Sequence, residues 1–146
     1  MKKIVLASLL FAAAIAQAAT PPEVNEKILN AFRQTFAYAE DVVWQEKDNS
    51  YQVNFWQGEI NIRAWYDDQG KLLATIRYYY EKQLPPSVLE KVKSKYAGKA
   101  IFGVTEVSSE DEVNYFINIR DDKNWYIVKC DMFGNLQQTD KFKRAD

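Results

Sequence analysis

Histidine is absent from this chain. That removes the commonest general base and the commonest metal ligand. Cysteine occurs once, as Cys130, so neither an internal disulfide nor a thiolate metal cluster can form. Histidine-activated serine or cysteine nucleophiles and histidine zinc sites are excluded by inventory. Only carboxylate, lysine, tyrosine or serine chemistry is left, and no catalytic residue, metal or cofactor is expected. Neither sign of charge dominates, with 19 Lys and Arg against 20 Asp and Glu. A nucleic-acid partner would ask for a basic surplus, so none is expected.

Long apolar runs are scarce too. The longest, Ile4 to Ile15, falls short of the roughly 20 residues of a membrane span. It follows the basic Met1-Lys2-Lys3 and precedes the small-x-small triplet Ala16-Gln17-Ala18. This order reads as a signal peptide over residues 1–18. The expected product, residues 19–146, is a periplasmic or secreted single domain with no membrane span. Without Lys2 and Lys3 it holds 17 basic and 20 acidic residues, a net charge of about −3.

What the chain does have is a duplicated pattern. Ile28, Phe32 and Phe36 recur at the four-residue spacing of one helix face, and Val88, Val92 and Tyr96 repeat it. Thr20-Pro21-Pro22-Glu23 and Ser87 to Glu90 read as capping boxes beside prolines. After each helix the apolar period drops to two. Val42 and Trp44 align with Phe102 and Val104, and Glu46 with Glu106. After one insertion at Ser108 to Glu112, Tyr51, Val53 and Phe55 align with Tyr115, Ile117 and Ile119. Asp67 and Gly70 then align with Asp131 and Gly134. Each unit, about 20–80 and about 85–142, reads as a helix and four short strands. The strands are expected near 41–47, 51–57, 59–67, 71–80, 100–107, 113–120, 124–131 and 135–142. Short turns between them make neighbours antiparallel, which gives an α+β fold with the helices on one face of the sheet.

The segment Ala39-Glu40-Asp41-Val42-Val43-Trp44, the strand Tyr51 to Phe55 and the turn Tyr66-Asp67-Asp68-Gln69-Gly70 carry a resemblance. With the helix from Leu84-Pro85 to Tyr96, they make the chain similar to the PepSY-like, or beta-lactamase-inhibitor-like, family of exported bacterial proteins. The resemblance implies tandem helix-plus-four-strand units in one curved antiparallel sheet. It also implies binding of a protein by the concave side of that sheet, an inhibitor-like role. No residues here match inhibitory loops, so inhibition of a beta-lactamase is not carried over.

Alternation divides the strands into two faces. Val42, Trp44, Tyr51, Val53, Phe55, Ile60, Ile62, Ala64, Leu72, Ala74 and Ile76 form an apolar set expected against the helices. Phe102, Val104, Tyr115, Ile117, Ile119, Tyr126 and Val128 continue it, with Cys130 as a buried thiol or an intermolecular disulfide. The opposite set is expected to face solvent, and it is unusually rich in Trp, Tyr, Phe and Arg. Such residues either pair across strands to stabilise the sheet or form a binding face. The candidate partner-binding residues are Trp56, Arg63, Trp65, Arg77, Tyr79, Phe116, Arg120 and Trp125, with the aromatic members expected side by side. Their occupant would be an envelope or extracellular protein or peptide, or a second copy in a homodimer. A small-ligand carrier and a carboxylate-based hydrolase are the other two readings, and the open face lacks the paired carboxyls that a hydrolase needs. Asp67-Asp68-x-Gly70 and Asp131-x-x-Gly134 read as β-turns rather than calcium loops, and Glu106 to Glu112 as an acidic hairpin tip.

Overall fold

A computed structural model describes residues 22–145, so the expected signal peptide lies outside the described residues. Eight strands follow one another in a single antiparallel sheet, in the order of the sequence. The first unit contains α1 (Glu26–Thr35), β1 (Glu40–Lys47), β2 (Ser50–Gln57), β3 (Ile60–Tyr66) and β4 (Leu72–Tyr79). The second contains α2 (Pro86–Lys95), β5 (Ala100–Ser109), β6 (Val113–Arg120), β7 (Asn124–Asp131) and β8 (Leu136–Lys143). Sequence and structure agree on all eight strands to within two residues.

The helices begin differently from the expectation. Asn25, not Thr20, caps α1: its side-chain oxygen accepts the Ile28 N–H at 3.0 Å. The same amide donates to the Asp68 carbonyl at 3.2 Å, so contact with the β3–β4 turn sets where the helix starts. For α2, Pro86 occupies the first helical position and the Pro85 carbonyl accepts from both Val88 and Leu89. The proline ring presets the backbone there, and the Ser87 to Glu90 box does not form.

Each helix buries its apolar stripe on its own half of the sheet. Ile28 and Phe32 meet Val53, Phe55, Ile62, Ala64 and Tyr66. Phe32 packs edge-on against Phe55 and Trp44, at centroid distances of 5.0 and 5.3 Å. Val88 and Val92 meet Val104, Ile117, Ile119, Val128 and Cys130 in the second core, and Cys130 is a buried free thiol. Ile60 touches both cores.

The duplication is visible in the turns. Gly70 and Gly134 share a φ of +82°, a conformation that glycine adopts without strain. The Asp67 carboxylate accepts the N–H groups of Gln69 and Lys71, and Asp131 does the same for Phe133 and Asn135. Both aspartates therefore serve as turn residues, as expected.

Three β-bulges correct the expected faces. In β4 the pairing steps from Tyr66↔Leu72 to Trp65↔Ala74, which leaves Leu73 as an extra residue. Every later side chain of β4 changes sides, because a one-residue slip inverts a strand. Thr75, Arg77 and Tyr79 thus pair with or join the core side, opposite Ala64, Ile62 and Val104. Ala74, Ile76 and Tyr78 face the other way, opposite Trp65, Arg63 and Asn61. A second bulge lies between Ile101 and Gly103 and releases Phe102 from the core to 52% exposure. A third lies between Glu40 and Val43, at Asp41, whose φ is +52°, and it leaves Val42 unpaired and 38% exposed instead of buried.

The two edges of the sheet are β1 and β8. Apart from Trp44 and Leu136 they are exposed along their length.

Candidate functional site

Both helices lie over one face, and the other is left to the strands. Cross-strand pairing lays out this open face in rows. One row runs Trp56, Asn61, Tyr78, Thr105, Phe116 and Lys129 from β2 to β7. The next runs Asn54, Arg63, Ile76, Val107 and Asn114. Beyond the first row, Arg120 pairs with Trp125 and Trp125 with Phe142.

Six of the eight candidate residues stand on this face: Trp56, Arg63, Trp65, Phe116, Arg120 and Trp125. The rings do not form one continuous row. Trp65 stands at the end of β3 near the β3–β4 turn, away from Trp56. Phe116 stands on β6 in the second unit, with the Lys129 ammonium 6.0 Å from its ring centre. Trp125 joins a cluster that the sequence pattern did not reveal. Phe102 meets it edge-on at 4.9 Å, and the Arg120 guanidinium lies 5.1 Å from the Phe102 ring and 5.8 Å from the Trp125 ring. Gly103, isolated within a strand, is the signal for the bulge that delivers Phe102.

Arg77 and Tyr79 are placed by the β4 bulge on the helix side. There the Tyr79 hydroxyl donates to Glu106 at 2.6 Å, and Arg77 pairs with the other oxygen of Glu106 at 3.3 Å. Burial, then the Glu106 contact, pushes the Tyr79 hydroxyl far above its ordinary value. Glu106 is accordingly a strand residue at the seam between the two cores, not part of the acidic hairpin tip. It holds β4 and β5 together.

At the same seam, on the open face, lies a groove of about 500 Å³. Trp56, Tyr78, Tyr80 and Phe102 wall it with rings, and Asn61, Thr105 and Asn118 add amide and hydroxyl groups. Trp56, Tyr78, Tyr80 and Phe102 are all exposed. Glu59 is the one carboxylate of its lining, and Lys82 neutralises it at 2.6 Å. Lys82, together with Gln83, holds the Glu59 carboxyl below its usual range. Between the groove and Trp65, the Asn54 and Asn114 side-chain oxygens and the Arg63 Nε are buried with no hydrogen-bond partner among the described residues.

Among the described residues no cluster of three His, Cys, Asp or Glu side chains could hold a metal ion. No described helix is long and apolar enough to cross a membrane.

No family model matches the chain, and no curated protein matches it either. Solved structures do. A BLIP-like protein from Bacteroides fragilis superposes with a TM-score of 0.63 at 19% identity, covering 88% of this chain and 92% of that one. A DUF2874 family protein from Bacteroides ovatus gives 0.58 at 21% identity, covering 85% and 88%. A protein from Bacteroides eggerthii assigned to the periplasm gives 0.58 at 12% identity, covering 84% and 90%. At these identities the likeness concerns architecture, and it covers nearly the whole described chain. The two helix-plus-four-strand units therefore build the BLIP-like fold.

Proposed function

We propose that this chain is an exported, non-catalytic binding module that holds a protein or peptide on its open sheet face. The carrying observation is the ring-walled groove at the seam of the two units. Its volume of about 500 Å³ lies within the range of specific ligand sites. Four exposed aromatic side chains on one wall system are rare on a face with no partner, because water meets them unfavourably. Trp and Tyr are also the residue types that concentrate binding energy, since they bury large rigid area and keep a polar handle. The groove lacks the second carboxylate that glycoside hydrolysis would require. It opens on the sheet face rather than between helices and sheet, which disfavours a carrier that encloses its ligand. Export is supported by the basic, apolar and small-residue order of residues 1–18.

The test uses the mature domain immobilised against an envelope extract, alongside a Trp56→Ala, Phe102→Ala double variant. Capture of a specific protein by the wild type, lost in a variant with unchanged circular dichroism, is the expected result. Equal capture by both proteins would refute a role for the groove.

A further inference from the structure

We infer that the partner surface for this face is anionic: an extended polypeptide segment that alternates carboxylates with apolar or aromatic side chains. The inference rests on the binding role proposed above and specifies the chemistry of the occupant.

Charge is the ground for it. On the six inner strands the open face presents three cations, Arg63, Arg120 and Lys129. The single carboxylate at an outward position of those strands is Asp131, at the end of β7. Its oxygens are taken up by Phe133 and Asn135 in its own turn. None of the three cations forms an ion pair among the described residues, although six ion pairs occur elsewhere in the fold. The whole chain carries slightly more acidic than basic residues. The edge strands add Glu40 opposite Trp56 and Asp140 opposite Ile127, so the cationic surplus is confined to the inner strands and is a local arrangement, not a by-product of composition.

The polar atoms agree with it. The Nε of Arg63 is buried and has no acceptor among the described residues. A guanidinium offers donors in a planar fork that matches a carboxylate, and Arg63 has no carboxylate partner among the described residues. The Arg120 guanidinium is held over the rings of Phe102 and Trp125. Stacking covers its face and leaves its N–H edge available to an anion.

Spacing selects a polypeptide over a polyphosphate. Arg63 on β3 and Lys129 on β7 are four strand intervals apart, roughly 19 Å. Between them lie uncharged side chains, including Tyr78, Thr105 and Phe116. A nucleic acid or an anionic membrane presents a dense field of charge and is best met by a denser basic patch. A chain with isolated carboxylates and apolar side chains between them fits the observed interleaving.

The experiment uses three fluorescent peptides, each roughly 12 residues long. They share Leu and Tyr at alternate positions and carry Glu, Gln or Lys at the others. The expected order of affinity is Glu, Gln, Lys, with the Glu peptide about tenfold tighter than the Gln peptide. That advantage should shrink between about 50 and about 300 mM salt. An Arg63→Gln, Arg120→Gln variant, checked for folding by circular dichroism, should bind the Glu and Gln peptides equally. Equal binding of the Glu and Gln peptides would overturn the anionic partner while leaving the binding face intact. Loss of Gln-peptide binding with Trp56→Ala would then identify the groove as its seat. Binding of no peptide, or tighter binding to phosphatidylglycerol vesicles than to the Glu peptide, would also overturn the inference.

Discussion

Tyr78 and Tyr79 are consecutive tyrosines on opposite faces, and the pair offers a controlled test of the β4 bulge. Removal of one oxygen from each, as Tyr78→Phe and Tyr79→Phe, changes no ring and no strand propensity. The Tyr79 hydroxyl donates to Glu106 at 2.6 Å, and the Glu106 side chain is only 12% exposed. Arg77 engages the other carboxylate oxygen, so the loss leaves one oxygen of a largely buried charge without its donor. Hydrogen bonds to charged groups contribute about 1.5–3 kcal/mol, and about 2 kcal/mol is expected here. For a domain of this size that corresponds to a fall in Tm of about 8 °C. Tyr78 is 38% exposed on the open face, so Tyr78→Phe should stay within about 0.5 kcal/mol of wild type. Urea denaturation at neutral pH, read by circular dichroism, measures both. Equal losses, or a larger loss for Tyr78→Phe, would mean that β4 alternates without the slip at Leu73, and the assignment of both faces in the middle of the sheet would fall with it.

Two further outcomes follow from the same geometry. Phe55 is fully buried against Phe32 and Phe36, so Phe55→Ala should cost about 3–5 kcal/mol in chemical denaturation, whereas Trp56→Ala, one residue on, should cost well under that. Asp121 accepts from Lys99, Tyr126 and the Lys123 N–H, and these donors hold its carboxyl well below the usual carboxylate range. A depressed carboxyl stabilises the fold above its ordinary value and ceases to do so as pH falls. The denaturation midpoints of wild type and Asp121→Asn should therefore differ most near neutrality and converge progressively below about pH 4, and a constant gap down to strong acid would contradict this.

The sequence made the strands, the turns and the duplication legible because each has a local cause. Alternation of apolar residues marks a half-buried strand within six or eight positions. Asp67 and Gly70 announce their turn by the chemistry of an aspartate and a left-handed glycine. The bulges have weaker signatures. Nothing about Leu73 distinguishes it from its neighbours, so Arg77 and Tyr79 read as open-face residues and Tyr78 as their opposite. At Phe102 a clue existed in Gly103, and at β1 in the Glu40-Asp41 step, where a positive φ falls on an aspartate. The cap of α1 was also within reach, since Asn25 stands three residues before the buried Ile28. The groove depends on how β4 ends and β5 begins, across the segment that contains α2, and such a juxtaposition has no local pattern to betray it. The resemblance to the beta-lactamase-inhibitor-like family held at the level of the fold, which the whole chain determines.

The strictly sequential strand order has a consequence for how such a molecule can be assembled and lengthened. Each strand bonds only to its predecessor and successor, so every pairing can form as soon as the next strand is available. An open sheet of this kind, unlike a barrel, meets no condition of closure that fixes the number of strands. In principle a third copy of the unit could be added beyond β8 and continue the same two faces. What ends growth is chemistry at the margins. The outer strand β8 carries Asp140, Lys141 and Lys143, and β1 carries Glu40, Asp41, Glu46 and Lys47 beside its bulge. Charged, bulged edges resist further strand addition. The length of this sheet is thus a property of its two border strands, and the open face is as wide as they allow.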